Sequence, residues 1–268
     1  MTDIKKLMLV ETSLVDSNLT IDTKLKIARQ LEKLNLDIIQ LSTKQKEASA
    51  QIVSDIKNIT LAACCKPLQN ELDDAWEILK NAAKPRLRII LSPELLEDLN
   101  LDNIQHKQDI LKVIKDSVAY AKNLTDDIEF IIVNFNKLHK MFIYRMIEQA
   151  ADSETKTITI YDQKGLMLTD EVSQLYKDIF YNIPDEDKLI IGSIFTNTMG
   201  IATANSLAAI ANGSRQVDVT LIHSGSIKEN ALFSRLLQAI KLRKDIFNLK
   251  LNINSDEWEN TLNILKEI

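Results

Sequence analysis

The chain carries few side chains suited to covalent or metal chemistry, and several of them stand where apolar runs end. Lys66 follows a run ending at Cys64, and Lys164 follows one ending at Ile160. A lysine stripped of water at such a place can form a Schiff base with a carbonyl substrate. A solvated loop lysine does not, because reactivity at neutral pH needs burial or a neighbouring cation. Of three histidines, only His223 follows an apolar run, Val217–Ile222, and with Asp16 it would still leave a divalent ion short of ligands. His106 and His139 fall in helical or loop patterns and read as surface or packing residues. Cys64 and Cys65 are adjacent, so they cannot staple distant segments. With no other cysteine to complete a ligand set, they read as buried or strand-end thiols.

Those positions depend on a repeated unit. Apolar runs that predict strands lie near Lys6–Val10, Leu36–Leu41, Thr60–Cys64, Leu87–Leu91, Ile128–Val133, Thr157–Ile160, Leu189–Ile194 and Val217–Ile222. Helical patterns lie between them, among them Thr23–Leu34, Leu72–Asn81, Lys107–Ala121, Lys137–Ala150, Glu171–Phe180, Met199–Ala211 and Asn230–Leu242, with Asp256–Ile268 last. In the first, Leu25, Ile27, Ala28, Leu31 and Leu34 form one apolar stripe, and Asp22 is the expected amino-terminal cap. The alternation predicts a (β/α)8 TIM barrel, with chemistry at the carboxyl ends of the strands. Periodicity alone also permits an open doubly wound sheet. The lack of a glycine-rich loop after the first run argues against a dinucleotide-binding version.

Composition narrows the function classes. The 268 residues are 45% hydrophobic and 26% charged, which suits one barrel domain over 1–268. A formal charge of −5 and no basic stripe with interleaved aromatics argue against a nucleic-acid surface. The opening MTDIKKLMLVETS holds only a short apolar run, so neither a signal peptide nor a membrane span is expected and the cytoplasm is the expected location.

The segment MGIATANSLAAIANGSRQV (199–217) resembles the stretch following the histidine pair in the 2-isopropylmalate synthase family, kin of homocitrate synthases and hydroxymethylglutaryl-CoA lyases. The resemblance extends over VDSNLTIDTKLKIARQLEKLNLDIIQ (15–40), DSVAYAKNLTDDIEF (116–130) and FIYRMIEQAADSETKTITIYDQKG (142–165). It implies the catalytic barrel alone, without the family's carboxyl-terminal regulatory domain. Family members are commonly dimers, so it implies a dimer too.

In that family an aspartate and two histidines hold a divalent metal that chelates a 2-oxo acid, and an enolate from acetyl-CoA attacks it. Asp16 matches the metal aspartate, but the arginine before it is Val15 and the glutamine beyond it Leu19. The His-x-His-Asn-Asp-x-Gly motif is Ile194-Phe195-Thr196-Asn197-Thr198-Met199-Gly200, so Ile194 and Thr196 stand for the ligand histidines. Gln40 replaces a glutamate, Lys66 an arginine, and Ile131-Ile132-Val133-Asn134 the family's Ser-Ala-Glu-Asp. Asp162 and Gly165 match an Asp-Thr-x-Gly motif with Gln163 for the threonine, and Gly225 and Asn230 match beyond the eighth strand. Asp16 and Asn230 are thus the remnants of the metal neighbourhood, and no metal or other cofactor is expected unless the site is rebuilt. Asp16, Gln40, Asn134, Asp162, Gln163, Thr196, Asn197 and His223 are the expected pocket residues.

Three functions follow. The first is a catalytically degenerate barrel, kept as a binding or partner subunit for a small 2-oxo acid or related metabolite, and pairing with itself or with an active paralogue. The second is a metal-independent aldolase or lyase using Lys66 or Lys164. The third is the family's acyl transfer, for which Claisen chemistry without the histidines lacks an electrophile.

Overall fold

Strands buried on both faces read as continuous apolar runs, and parallel strands need a crossover, usually a helix, between them. The chain meets both conditions eight times. The computed structural model describes residues 5–15, 18–91, 103–133, 138–183, 189–221 and 230–266. Its strands are β1 (Met8–Glu11), β2 (Ile38–Leu41), β3 (Thr60–Cys65), β4 (Pro85–Leu91), β5 (Ile128–Val133), β6 (Thr157–Asp162), β7 (Ile190–Phe195), β8 (Gln216–Thr220) and a two-residue β9 (Ala231–Leu232). Each of the first seven pairs in parallel with the next, and β8 closes onto β1 with Met8 opposite Gln216 and Glu11 opposite Val219. The result is a closed (β/α)8 barrel, and closure excludes the open doubly wound sheet.

The helices are α1 (Ile21–Lys33), α2 (Lys46–Asp55), α3 (Gln69–Leu79), α4 (Ile104–Ala121), α5 (Lys140–Asp152), α6 (Thr169–Asn182), α7 (Ala202–Ala211), α8 (Phe233–Leu242) and α9 (Trp258–Lys266). None among the described residues is long and apolar enough to cross a membrane. The cap of α1 is Thr20, whose side chain accepts from the Thr23 amide; Asp22 sits inside the first turn. The expected stripe holds, with Ile27, Ala28 and Leu31 buried and Leu25 partly so. Helix α2 falls outside the helical patterns of the sequence because Lys46–Asp55 is short and weakly amphipathic. At the end of the chain α9 closes the ring. Gln30 on α1 donates to Glu257 and Thr261 at 3.0 and 3.1 Å, and Trp258 meets Phe233 edge-on with ring centroids 5.3 Å apart.

Strand β9 was also unforeseen. Ala231 and Leu232 pair with Val219 and Thr220, while β7 reaches β8 only at Gln216 and Val217. The other edge of β8 belongs to β1 from Gln216 to Val219. β9 therefore occupies the edge facing β7, at the carboxyl end of the barrel.

Candidate functional site

Of the expected pocket residues, Gln40, Asp162, Gln163, Thr196 and Asn197 are described, and the structure assigns several of them local work. Asp162, ending β6, is 3% exposed, and its two carboxylate oxygens accept from the amides of Gly165 at 3.1 Å and Met167 at 2.9 Å. That carboxylate closes the β6–α6 loop. Gly165 has φ +63°, and a Cβ there would strike the Thr196 carbonyl oxygen, so backbone geometry requires this glycine. Gln163 and Lys164 lie exposed on the same loop. Asn197 turns its side-chain oxygen to the Ala202 amide at 3.1 Å, fixing the turn into α7. Asn205, buried on α7, donates to the Met167 carbonyl at 2.8 Å and accepts from Thr169. The segment following β7 thus stitches two adjacent βα-loops together.

At the end of β7, Ile194 is 4% exposed and Thr196 is 7% exposed. Thr196 lies with its hydroxyl 3.4 Å from the Tyr161 phenol of β6. Burial pushes the Tyr161 phenol above its usual range. A divalent ion needs lone pairs from ligands of fixed geometry. Ile194 offers none, and Thr196 offers a neutral hydroxyl already turned to a phenol. Among the described residues, no group of three or more His, Cys, Asp or Glu side chains is placed to hold a metal ion. These two positions do not fit a divalent ion. Asn230 reaches across to β1, donating to Thr12 at 2.9 Å, and its amide donates to Thr220 at 3.1 Å. Asp16, Asn134, His223 and Gly225 lie outside the described residues.

Lys66 is exposed just beyond β3, and neither it nor Lys164 has the burial that would make an amine nucleophilic. His139 caps α5, accepting from the Met141 amide, and His106 is half-buried on α4. Cys64 and Cys65 sit on adjacent positions of β3 as free thiols. Burial pushes Cys64 up to about 11 and raises Cys65 as well, so neither is a ready nucleophile.

Below the mouth, the lumen holds a charged network that strand-end reasoning missed. Arg88 of β4 donates through Nε and Nη2 to both oxygens of Glu129 of β5, at 3.0 and 2.8 Å. The same Nη2 reaches Asp218 of β8 at 2.9 Å, and Nη1 donates to Gln40 of β2. Thr159 of β6 donates to Glu129 at 2.7 Å. Arg86, two residues before Arg88, bonds Asp127 and Gln216, each at 2.8 Å. Glu129 is fully buried, and Arg88 and Asp218 are 1% and 2% exposed. Burial pushes Glu129 up, but the charge and hydrogen bonds of Arg88 outweigh it and hold the carboxyl below its ordinary range. For Asp218 burial wins, pushing it up to about 7. The sequence did carry a signal: PRLRIIL, IEFIIV and QVDVT each place charges at lumen-facing positions of otherwise buried strands. Gln40 is the one expected pocket residue that this network absorbs. On the other side of the lumen, Val10, Ile38 and Ala62 form a small apolar cluster.

A family model described as HMGL-like matches residues 13–264. The chain is 33% identical, over 98% of its length, to the 2-isopropylmalate synthase of Aquifex aeolicus (strain VF5), covering 53% of that protein. It is 31% identical, over 98% of its length, to a putative 2-isopropylmalate synthase of Buchnera aphidicola subsp. Baizongia pistaciae (strain Bp), covering 70% of it. The chain thus spans about half the length of the first relative and about seven-tenths of the second. Among solved structures, the HMG-CoA lyase of Bacillus subtilis superposes with a TM-score of 0.72 at 18% identity, over 98% of this chain and 92% of that one. At that identity the likeness is one of fold.

Proposed function

The chain belongs to the HMGL-like family of acyl-transferase and lyase barrels, and from that premise we propose that it is a catalytically degenerate member, acting as a binding or partner subunit. Members of the family typically use a divalent metal. The observation that supports the reading is the end of β7, where a buried isoleucine and a hydroxyl stand at the two positions the family fills with imidazoles. Claisen or retro-Claisen chemistry needs an electrophile to polarise the carbonyl and a cation to offset the developing enolate. Val15 stands where the family has an arginine, and Arg88, the lumen guanidinium, is committed to Glu129, Asp218 and Gln40. The chain keeps the fold and the loop stitching of Asp162, Asn197 and Asn205. Those features preserve a pocket rim that can hold a small 2-oxo acid or related metabolite, or meet a second copy or an active family member in the cytoplasm.

Isothermal titration of chelator-treated protein with Mn²⁺ and Zn²⁺ tests this, with and without 2-oxoisovalerate and acetyl-CoA, alongside Asp16→Ala. No stoichiometric metal binding is expected. Tight binding that disappears in Asp16→Ala would return the family's acyl transfer to first place. The aldolase or lyase reading through Lys66 or Lys164 gains no support, since both amines are exposed. Borohydride trapping with 2-oxo acids is expected to leave both lysines unmodified.

A further inference from the structure

The lumen network divides its cations unevenly. Its two buried carboxylates, Glu129 and Asp218, share the guanidinium of Arg88, while Arg86 is spent largely on Asp127, whose side chain is 40% exposed. Arg86 leans toward Asp127, at 2.8 Å, and stays 3.7 Å from Glu129. Arg88 is gripped by both oxygens of Glu129, so its charge is largely offset before Asp218 is reached. Asp218 is left with one bond from Arg88, on a nitrogen that it shares with Glu129. Its remaining charged or titratable neighbours are Arg86 of β4, which acts on it through space without a hydrogen bond, and Cys64 of β3 and Tyr161 of β6. Arg86 spends its own hydrogen bonds on Asp127 and Gln216.

An ionised carboxylate taken out of water at such a place costs free energy that half a guanidinium does not return. Protonation relieves the cost at the carboxyl with the fewest donors. We propose that the barrel lumen is a proton-binding site, in which Asp218 carries a proton that makes up for its half-share of the Arg88 guanidinium. The proton comes from solvent and returns to it, so the lumen changes by one unit of charge while Glu129 and Arg88 stay ionised. The direction of the Asp218 shift agrees, and burial is its largest cause.

The sign of the linkage is fixed. Asp218 is raised from 3.8 to about 7 on folding, so the folded chain binds more protons than the unfolded one between those values. This contribution to stability is fully present below the unfolded value and is lost as pH rises through about 7. Glu129, which is lowered, acts in the opposite sense and only in the acid range. Glu11 of β1, also raised by burial, acts in the same sense as Asp218, so the Asp218 share is what Asp218→Asn removes from the slope.

The direct measurement is a carbon-13 NMR titration of the Asp218 side-chain carboxyl in the full chain, assigned by through-bond connection to its own backbone. A midpoint near neutrality is expected; one in the ordinary aspartate range would overturn the proposal. The companion measurement follows thermal midpoints from about pH 5 to about pH 8. The wild-type midpoint should fall toward the alkaline side, and Asp218→Asn, a neutral isostere, should flatten that slope. An unchanged slope in Asp218→Asn would also overturn it. Should the variant fail to fold, the NMR titration of the wild-type chain still decides.

Discussion

Two levels of the same barrel have been built by opposite rules. At the mouth, the end of β7 presents Ile194 and Thr196, and the polar side chains of Asp162 and Asn197 are spent on loop geometry. A few ångströms of strand below, the lumen joins Gln40, Arg86, Arg88, Glu129, Thr159, Gln216 and Asp218 in one web of hydrogen bonds and ion pairs spanning five strands. The contrast separates two uses of polarity. In the lumen, charge is held for the barrel's own register, because each bond joins strands that must stay in place. At the mouth, polarity persists where a backbone amide needs an acceptor.

The most severe way to break the comparison is Arg88→Met. It removes the guanidinium between two buried carboxylates, and about 3–5 kcal/mol of stability should be lost, read as a lower urea midpoint. A loss under about 1 kcal/mol would mean that the carboxylates take up protons and that the web has little structural weight. Gly165→Ala tests the mouth in the same units. Its positive φ and the collision with the Thr196 carbonyl predict about 2 kcal/mol of destabilisation. Asn205→Ala should cost about 1–2 kcal/mol, since the Met167 carbonyl and the Thr169 hydroxyl both lose their partner. Thr20→Ala touches neither level and should cost about 1 kcal/mol through the lost cap of α1. If the two mouth variants cost no more than Thr20→Ala, the loop stitching is dispensable and its survival needs another cause.

The comparison also has a reactive side. Cys64 and Cys65 are neighbours on β3, but only Cys64 looks toward the charged web. With both thiols raised by burial, alkylation at mildly alkaline pH should be slow in the folded chain and fast in denaturant. Fast labelling of one thiol in the folded chain would reveal a mouth more open to solvent than its burial indicates.

The barrel was legible because the periodicity of apolar runs depends on local chemistry alone. All eight runs became strands, and Ile128–Val133 did so at the predicted bounds. The cap of α1 is Thr20 rather than Asp22 because the helix begins at Ile21, two residues before the expected start at Thr23. The two-residue β9 carries too little pattern to register, and its pairing is a tertiary event. At the site, strand-end reasoning found Asp162, Asn197 and Asn230 but not what they bond. Arg88, Glu129 and Asp218 were visible one by one as charges in apolar strands. That they meet depends on closure, which brings β4 opposite β8 and which no local window contains.

The two-residue β9 covers the edge of β8 that β7 leaves unpaired, with Ala231 and Leu232 beside Val219 and Thr220. An uncovered strand edge is a template for any extended segment that meets it. Two residues of the chain itself thus occupy a place where another chain could have paired.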